Sequence, residues 1–460
     1  MKPLESLRRF NKYISETSIS ETSISEPSIF KHIQKLNFTI EYPKSNFSEK
    51  LRLRVIQMLN SQLSQVEEET ILYFFVARKS EILLCKDFQR ELHEKLKIPI
   101  LGEIQSFSLL FEYLSELSKS QKITLVIDEF QEFFSINSSI YSDMQKIWDL
   151  SHTTSKLNLI VSGSVFSLMH KIFQNNKEPL FGRAQHYIHL KAFDTHTLKT
   201  ILADYNPSYK ADDLLALYSF TGGVAKYVQL LMDNNAHNKE KMIAYITAEN
   251  SIFINEGKNM LIEEFGKDYA IYFSILSSIA NVKNSRSEIE NSLNKEIGGY
   301  LTKMENDYHL IKKATPIFRE SKTKQVKYVL EDNFLTFWFR FIYKYSHMIE
   351  IGAHQQLKKV IDRDYDTFTG IMLEKYFKTQ AMETEAFTNI GGYWDRKGEI
   401  EIDFIAVNEL EKKITVAEIK RNKQKIRLSA LQLKMGQLLA LYPKISEYEM
   451  AYFAWGLEDM

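Results

Sequence analysis

The sequence is poor in cysteine, and glycine is missing from its first hundred residues. The 460 residues contain one cysteine, Cys85, which excludes a disulfide framework and a cysteine-rich zinc site. No glycine precedes Gly102. Neither sign of charge is in excess, because Lys plus Arg and Asp plus Glu both number 59. Any binding of nucleic acid must therefore depend on local basic patches rather than on a global field.

Long apolar runs are absent as well. No stretch approaches the roughly 18 uncharged apolar residues of a membrane-spanning helix, and the N-terminus lacks the apolar core of a signal peptide. We therefore expect a cytoplasmic protein with no membrane partner. Hydrophobic residues make up 44% of the 460, which is enough for several globular domains.

A short repeat precedes an α/β pattern. Residues 15–29 repeat a five-residue polar unit three times (SETSI, SETSI, SEPSI), which predicts a mobile spacer. Helical patterns at 101–118 and 140–149 then alternate with short apolar runs. The runs are typical of buried parallel strands and lie at 71–77, 123–128 and 157–163. This alternation predicts a parallel sheet with helices on both faces.

Strand-like runs stop at about residue 207, and helical patterns follow. We predict helices at 212–220, 224–234 and 239–254, with a break at Thr221-Gly222-Gly223. Three further helical patterns and two β-like pieces predict a winged helix-turn-helix; they span 269–280, 286–293, 296–307, 310–318 and 325–330. A final α/β unit begins near residue 334.

Two acidic residues end the apolar run ITLVID and are the first candidate site. Asp128 and Glu129 stand where a strand's C-terminal end meets the ligand-binding edge of an open α/β sheet. In a phosphoryl-transfer site the aspartate would hold Mg²⁺ and the glutamate would polarise the attacking water. The alternative is a strand that simply ends in two solvated acids.

The order of motifs resembles the archaeal-type ATPase family within the AAA+/STAND group of P-loop NTPases. The sequence carries YFFVA, VIDEFQ, SGS, LFGR, TGG-x-x-x-Y and, further on, FWFRFIY. The resemblance implies that Asp128 and Glu129 form the Walker B motif, that Ser164 is the sensor and that Arg183 acts in trans on a neighbouring subunit. It also implies ATP as a cofactor and a possible homo-oligomer.

The phosphate-binding loop of that family is missing. Such a loop needs glycines, since their absent Cβ lets backbone N–H groups wrap a phosphate, and it needs a lysine followed by Ser or Thr. Between a predicted strand at 36–42 and a predicted helix at 51–65 stands PKSNFSEK instead. Glu49 replaces the lysine, and a carboxylate there repels phosphate by about 4 kcal/mol. Weak nucleotide binding through Lys44 or Lys50 and a decayed N-terminus both remain open.

Lysines surround the predicted winged helix. Lys295 and Lys303 lie on or next to its presumed recognition helix, and six basic residues surround the wing: Lys312, Lys313, Arg319, Lys322, Lys324 and Lys327. Such a cluster is typical of phosphate contacts with DNA. The alternative is a packing module with a solvated β-ribbon.

A second acidic constellation occurs near the C-terminus. Glu374 lies on a predicted helix, Asp403 on a strand predicted at 400–407, and Glu418-x-Lys420 on a strand predicted at 414–419. Residues two apart on a strand share a face, and a hairpin would bring Asp403 beside Glu418. Two carboxylates and a lysine can bind Mg²⁺ and stabilise a phosphodiester transition state. The alternative is an ordinary amphipathic hairpin.

The spacing D-x14-E-x-K resembles the PD-(D/E)xK nuclease superfamily, and GGYWDR, EIDFIA and EIK resemble the domain of unknown function that closes the archaeal ATPase family. Ile402 replaces a proline that many members carry. The resemblance implies a restriction-endonuclease-like α/β domain in which Glu374, Asp403, Glu418 and Lys420 are catalytic. The metal ligands would be Asp403 and Glu418, with Asp128 holding Mg²⁺ in the ATPase core.

The predicted architecture has five parts: a mobile segment at 1–30, a RecA-like core at 31–206, a helical lid at 207–260, a winged helix at 261–333 and a nuclease-like domain at 334–460. We expect an ATPase homologue with a degenerate ATP site that acts on nucleic acid through a winged helix and a metal-dependent nuclease-like domain, with DNA as the expected partner. The alternative is a non-catalytic scaffold that keeps both folds for binding.

Overall fold

The structure is a computed structural model and describes residues 38–41, 70–97, 102–189, 191–265, 268–318, 325–396 and 398–460. The chain forms two compact units. The first comprises the described residues up to Lys191, and the second comprises those from Ala192 onward. The repeat at 15–29, Lys44, Lys50 and the helix predicted at 51–65 lie outside the described residues.

The first unit contains a five-stranded parallel sheet with the order β2-β3-β4-β1-β5. The strands are β1 (Phe38–Glu41), β2 (Thr70–Phe75), β3 (Ile123–Asp128), β4 (Leu157–Gly163) and β5 (His186–His189). Every residue of β3 is buried, as its continuous apolar sequence predicts for a central parallel strand. The sheet agrees with the predicted α/β class.

Helices connect these strands and supply the core. They are α1 (Glu81–Leu96), α2 (Phe107–Leu117), α3 (Phe133–Ile136), α4 (Ser139–Ser151) and α5 (Phe166–Gln174). Helix α1 was not predicted from the sequence. It buries Phe88, whose ring stacks on Phe74 of β2 with 4.2 Å between centroids, so that stacked aromatics join this helix to the sheet.

The second unit begins with helices α6 (Thr195–Tyr205), α7 (Ala211–Thr221), α8 (Ala225–Asp233), α9 (Lys239–Ile246) and α10 (Ile252–Phe265). The predicted break is present: Gly222 ends α7 with φ of 61°, in the left-handed region that favours glycine. At Gly223 a Cβ would lie 2.4 Å from the carbonyl oxygen of Phe193, so glycine is required there too.

The single helix predicted at 239–254 is wrong in one respect, because the structure divides it into α9 and α10. The Thr247 hydroxyl donates to the Ile243 carbonyl at 2.8 Å, next to the turn that separates the two helices. Ser, Thr and Asn side chains offer such local bonds and favour helix ends. The polar run TAENS at 247–251 therefore ends α9 where hydrophobic periodicity alone suggested continuation.

Three helices and a β-ribbon follow, as predicted. They are α11 (Tyr269–Ala280), α12 (Arg286–Leu293), α13 (Gly298–Asn306) and the antiparallel strands β6 (Ile311–Ala314) and β7 (Lys327–Leu330). Next come α14 (Asn333–Phe337), a π-helical turn (Trp338–Tyr343), α15 (Ser346–Glu350) and the 30-residue α16 (His354–Glu383).

Trp338 of the π-helical turn packs on α10. Its indole N–H donates to the Ile254 carbonyl at 3.0 Å, and a Cβ at Gly257 would lie 2.4 Å from the indole ring. A glycine at 257 therefore leaves room for Trp338. The two segments pack together across the domain boundary predicted at residue 334, and that boundary stays a prediction.

A four-stranded mixed sheet completes the chain, with the order β11-β10-β9-β8. Its elements are β8 (Asn389–Trp394), β9 (Glu401–Asn408), β10 (Lys413–Ile419), α17 (Leu428–Leu441) and β11 (Glu449–Trp455). Strands β9 and β10 agree with the predicted hairpin, whereas β8 and β11 were not predicted. Among the described residues no helix has the length and apolarity needed to cross a membrane.

Candidate functional site

Asp128 at the end of β3 is buried and held by the two neighbouring strands. Its Oδ2 accepts a hydrogen bond from the Tyr73 hydroxyl of β2 at 2.8 Å, and its Oδ1 accepts one from the Ser162 hydroxyl of β4 at 2.6 Å. Only 2% of the residue is exposed. Both carboxylate oxygens thus accept a hydroxyl hydrogen bond that orients the carboxylate.

Glu129 adopts a left-handed backbone conformation with φ of 54° and ψ of 40°. For a residue other than glycine this costs of order 1–3 kcal/mol, and such strain is concentrated at functional sites. Its Oε2 accepts hydrogen bonds from the Ser164 hydroxyl at 2.7 Å and from Gln131 Nε2 at 2.5 Å. The structure thus brings Glu129 and Ser164 together at the carboxyl edge of the sheet.

Arg183 lies elsewhere in the same unit and makes contacts within its own chain. Its Nη2 donates to Asp149 Oδ2 at 2.9 Å, its Nε donates to Oδ1 at 3.3 Å, and its Nη1 donates to the Phe181 carbonyl at 2.8 Å. A bidentate pair of this kind holds the guanidinium in one orientation. Its role in trans stays a prediction.

Asp403 and Glu418 lie side by side on the hairpin of β9 and β10. The antiparallel register pairs Phe404 with Ala417, so the next step along the strands places Asp403 opposite Glu418. Asp403 Oδ2 also accepts the backbone N–H of Ile419 at 3.1 Å. The structure therefore brings together the two residues that the sequence assigned to a metal.

Glu374 approaches this pair from α16. Partial burial raises the pKa of its carboxyl to about 7, and the negative charge of Asp403 contributes to the rise. Burial likewise raises the pKa of Asp403, and the charge of Glu418 adds to it against the opposing hydrogen bond from Ile419. The negative charges of neighbouring carboxylates thus disfavour ionisation of both Glu374 and Asp403.

Lysines compensate this negative charge. Lys420 Nζ lies 3.1 Å from Glu418 Oε1, as expected for two side chains on one strand face, and Lys434 Nζ of α17 lies 3.4 Å from Glu418 Oε2. Lys378 Nζ, one helical turn beyond Glu374, lies 3.9 Å from its Oε2. Lys378 and Lys434 were not predicted, although Lys434 is the one charged residue of α17.

Among the described residues no group of three or more His, Cys, Asp or Glu side chains is arranged to hold a metal ion. The donor chemistry nevertheless suits a hard divalent cation, because Asp403, Glu418 and Glu374 all offer carboxylate oxygens. Lys420 and Lys434 lie near the two oxygens of Glu418, so a bound cation would compete with these lysines for the charge of Glu418.

The raised pKa of Glu374 predicts a pH-dependent stability of the metal-free protein. A raised folded-state pKa contributes stability that is present below about 4.5 and is lost as the pH rises through about 7. The full shift would be worth about 3 kcal/mol, but 35% of the side chain is exposed, so we expect about 1–2 kcal/mol.

This expectation is measured by urea unfolding in EDTA at pH 5 and pH 8. Wild type should lose about 1–2 kcal/mol more than Glu374→Gln over this interval, because glutamine does not ionise. Glu411→Gln, an exposed carboxylate at the far end of the same hairpin, should follow wild type. An equal loss of unfolding free energy between pH 5 and pH 8 in wild type and Glu374→Gln would contradict the raised pKa of Glu374.

Two segments of the chain match known protein families. A family model described as "ATPase domain predominantly from Archaea" matches residues 53–231, and one described as "Archaea bacterial proteins of unknown function" matches residues 338–430. The second match includes Glu374, Asp403, Glu418 and Lys420. An uncharacterized protein of Methanocaldococcus jannaschii is 27% identical over 367 residues, which span 78% of this chain and 79% of that protein.

Two solved structures are similar at low identity. The Walker-type ATPase of Pyrococcus abyssi has a TM-score of 0.47 at 15% identity, over 69% of this chain and 95% of that one. The ORC2 protein of Aeropyrum pernix, solved with ADPNP and ADP, has a TM-score of 0.44 at 10% identity, over 74% and 98%. At these scores neither likeness establishes a shared fold. By sequence, residues 53–231 are therefore similar to a predominantly archaeal family of ATPase domains, and residues 338–430 to an archaeal and bacterial family of unknown function.

Proposed function

We propose that the site formed by Glu374, Asp403, Glu418 and Lys420 is a metal-dependent phosphodiesterase site that acts on nucleic acid. The observation that carries the proposal is the position of Asp403 opposite Glu418 on β9 and β10, with Lys420 Nζ 3.1 Å from Glu418 Oε1. Glu374 of α16 is near enough for the negative charge of Asp403 to raise its pKa. Carboxylate oxygens are the ligands that hard divalent cations prefer.

Asp403 and Glu418 would hold Mg²⁺ or Mn²⁺, with Glu374 completing the set of carboxylate ligands. A bound divalent cation supplies charge stabilisation of the phosphodiester transition state and lowers the pKa of water. Lys420 would orient the attacking water from the same strand face as Glu418. Lys434 and Lys378 would offset negative charge while the site is filled and emptied. Asp403 stays oriented throughout by the Ile419 N–H.

Cleavage assays with Mg²⁺ or Mn²⁺ on single-stranded DNA, duplex DNA and RNA, with and without ATP, test the proposal. We expect Lys420→Ala to remove cleavage while binding of nucleic acid persists, because this lysine serves chemistry more than docking. Lys413→Ala is the matched control, since Lys413 begins the same strand and pairs with exposed Glu411 at 2.8 Å. Equal activity of the two variants would remove Lys420 from the site.

A non-catalytic scaffold is the second candidate. It is favoured by the ion pairs of Glu418 with Lys420 and Lys434, which neutralise the carboxylate without a metal. Several lysines near the predicted winged helix are also paired: Lys312 with Glu331, Lys313 with Glu305 and Lys327 with Glu401. A protein that binds nucleic acid but shows no effect of divalent metal on cleavage or melting would be this scaffold.

We also propose that the ATPase domain has lost tight nucleotide binding. The match to the ATPase family implies nucleotide and Mg²⁺ by resemblance, but PKSNFSEK at 43–50 has no glycine and carries Glu49 in place of the lysine. Asp128 accepts hydrogen bonds from the hydroxyls of Tyr73 and Ser162. Glu129 accepts hydrogen bonds from Ser164 and Gln131. The domain would then serve as a framework rather than as a motor.

A further inference from the structure

Strand β7 of the β-ribbon carries a lysine that lies against the C-terminal sheet. Lys327 Nζ is 3.7 Å from Glu401 Oε1 and 4.5 Å from the centre of the Trp394 ring. Trp394 and Glu401 are paired neighbours in β8 and β9. Lys327 thus meets the sheet at one defined position, where its ammonium faces an aromatic ring and a carboxylate.

That position is close to the carboxylate site. Glu401 and Asp403 are two residues apart in β9, so their side chains leave the same face of the strand. Residues i and i+2 of a strand are about 7 Å apart. Lys327 therefore lies one side-chain repeat from Asp403, toward the end of the hairpin where residues 395–400 connect β8 to β9.

Two further contacts fix the β-ribbon beside the site. Lys375, the neighbour of Glu374 on α16, donates from Nζ to the carbonyls of Leu330 and Glu331 at 3.0 and 2.6 Å, at the end of β7. Ile317, beyond β6, donates its N–H to Gly392 of β8 at 2.9 Å and is buried in the core of the C-terminal sheet. The ribbon is thus attached to α16, which carries Glu374, and to β8, which lies next to β9 in the sheet.

We propose that the β6–β7 ribbon is part of the nuclease-like site and that Lys327 binds the phosphodiester backbone of the nucleic-acid strand next to the phosphate at Asp403 and Glu418. This inference rests on the proposed function of that site. It assigns the basic ribbon to presentation of the cleaved strand rather than to independent reading of a duplex groove.

Charge makes Lys327 available for this role. Its partner Glu401 is a surface residue with 61% of its side chain exposed, and exposed ion pairs of this kind contribute little to stability. A phosphate offers a stronger charge-assisted bond and can replace the carboxylate. Lys313 of the same ribbon pairs instead with Glu305 of α13, away from Trp394 and Glu401. The two lysines are therefore matched in ribbon and charge but differ in their surroundings.

Binding of labelled single-stranded and duplex oligodeoxynucleotides in Ca²⁺, measured by anisotropy over a salt series with the full chain, tests the inference. Lys327→Gln should lower the slope of log affinity against log salt by about 0.7 for a single strand, the value for one lost phosphate contact. Lys327→Arg should restore the slope, and Lys313→Gln should keep it. In cleavage, Lys327→Gln should raise KM more than it lowers kcat, because the contact serves binding.

The outcomes separate the two proposals. Equal slopes for Lys327→Gln, Lys313→Gln and wild type overturn the role of Lys327, even if the protein cleaves nucleic acid. An absence of binding by wild type overturns it as well. A salt slope reduced only in Lys327→Gln supports the strand-binding role. If divalent metal then changes neither the melting temperature nor cleavage, the proposed phosphodiesterase function is overturned instead. If Lys327→Gln lowered the salt slope only with duplex DNA, Lys327 would be assigned to groove binding and the inference would be contradicted.

Discussion

Mg²⁺ or Mn²⁺ should raise the melting temperature of the full chain, and Asp403→Asn should remove most of that rise. A ligand at 100 times its Kd stabilises the folded state by about 2.7 kcal/mol, which corresponds to roughly 5–10 °C for a unit of this size. The rise should be large because the metal also relieves the repulsion that raises the pKa values of Glu374 and Asp403.

Asparagine at 403 is a suitable probe because its side-chain oxygen can still accept the Ile419 N–H, so the hairpin should keep its local structure. Glu411→Gln removes one carboxylate from the opposite end of the hairpin and should keep the full metal effect. Melting curves of wild type and Asp403→Asn that respond equally to metal would leave the scaffold function. The measurement requires the full chain, since Ile317 contributes to the core of the C-terminal sheet.

Most of the sheet core of the first unit was predictable from sequence, because fully buried parallel strands are continuous apolar runs. The run at 123–128 coincides with β3, and the acidic pair after it lies at the sheet edge as expected. The hairpin that places Asp403 opposite Glu418 was also predictable, since it follows from alternation along two strands.

Other strands gave no such signal. Strand β8 contains Gly391 and Gly392, and glycine is depleted in strands. The structure gives the reason: a Cβ at Gly392 would lie 2.9 Å from the Ile402 carbonyl, so the close approach of β9 requires glycine. Strand β11 is an edge strand with exposed and half-buried side chains, which weakens the pattern of a buried strand.

Contacts between distant segments were not predictable from local patterns. The sequence pattern predicted that the β-ribbon is a DNA-binding wing separate from the nuclease-like domain. In the structure, contacts of Ile317, Lys327 and Lys375 connect the ribbon to the C-terminal sheet and to α16. Such contacts depend on tertiary packing, which periodicity and spacing do not encode. The same holds for Lys434, whose proximity to Glu418 requires α17 to lie against β10.

The helices at the end of the ATPase-family match also pack with the C-terminal domain. The Tyr218 hydroxyl of α7 is 3.0 Å from the Thr379 hydroxyl of α16, and Arg421 Nη2, just after β10, is 2.9 Å from Asp212 Oδ1 of α7. Burial opposes ionisation of Asp212, but its bonds to Lys239 and Arg421 hold its pKa below the usual value. Residues 192–231 thus lie within the match to the ATPase family by sequence, and by packing in the unit that carries the carboxylate site.

ATP should bind the protein no more tightly than about the millimolar range, a free energy of roughly 4 kcal/mol. An intact loop would reach micromolar affinity, but repulsion of about 4 kcal/mol by a carboxylate such as Glu49 removes about three powers of ten. Calorimetry with MgATP should therefore show no binding at micromolar concentrations.

Glu129→Gln should leave nucleic-acid binding and cleavage unchanged, because the glutamine side-chain oxygen still accepts the hydrogen bonds of Ser164 and Gln131. Glu132→Gln, which removes the partner of Arg78, is its control. Micromolar binding, or ATP retained by Glu129→Gln alone, would show that residues outside 43–50 form a working phosphate site.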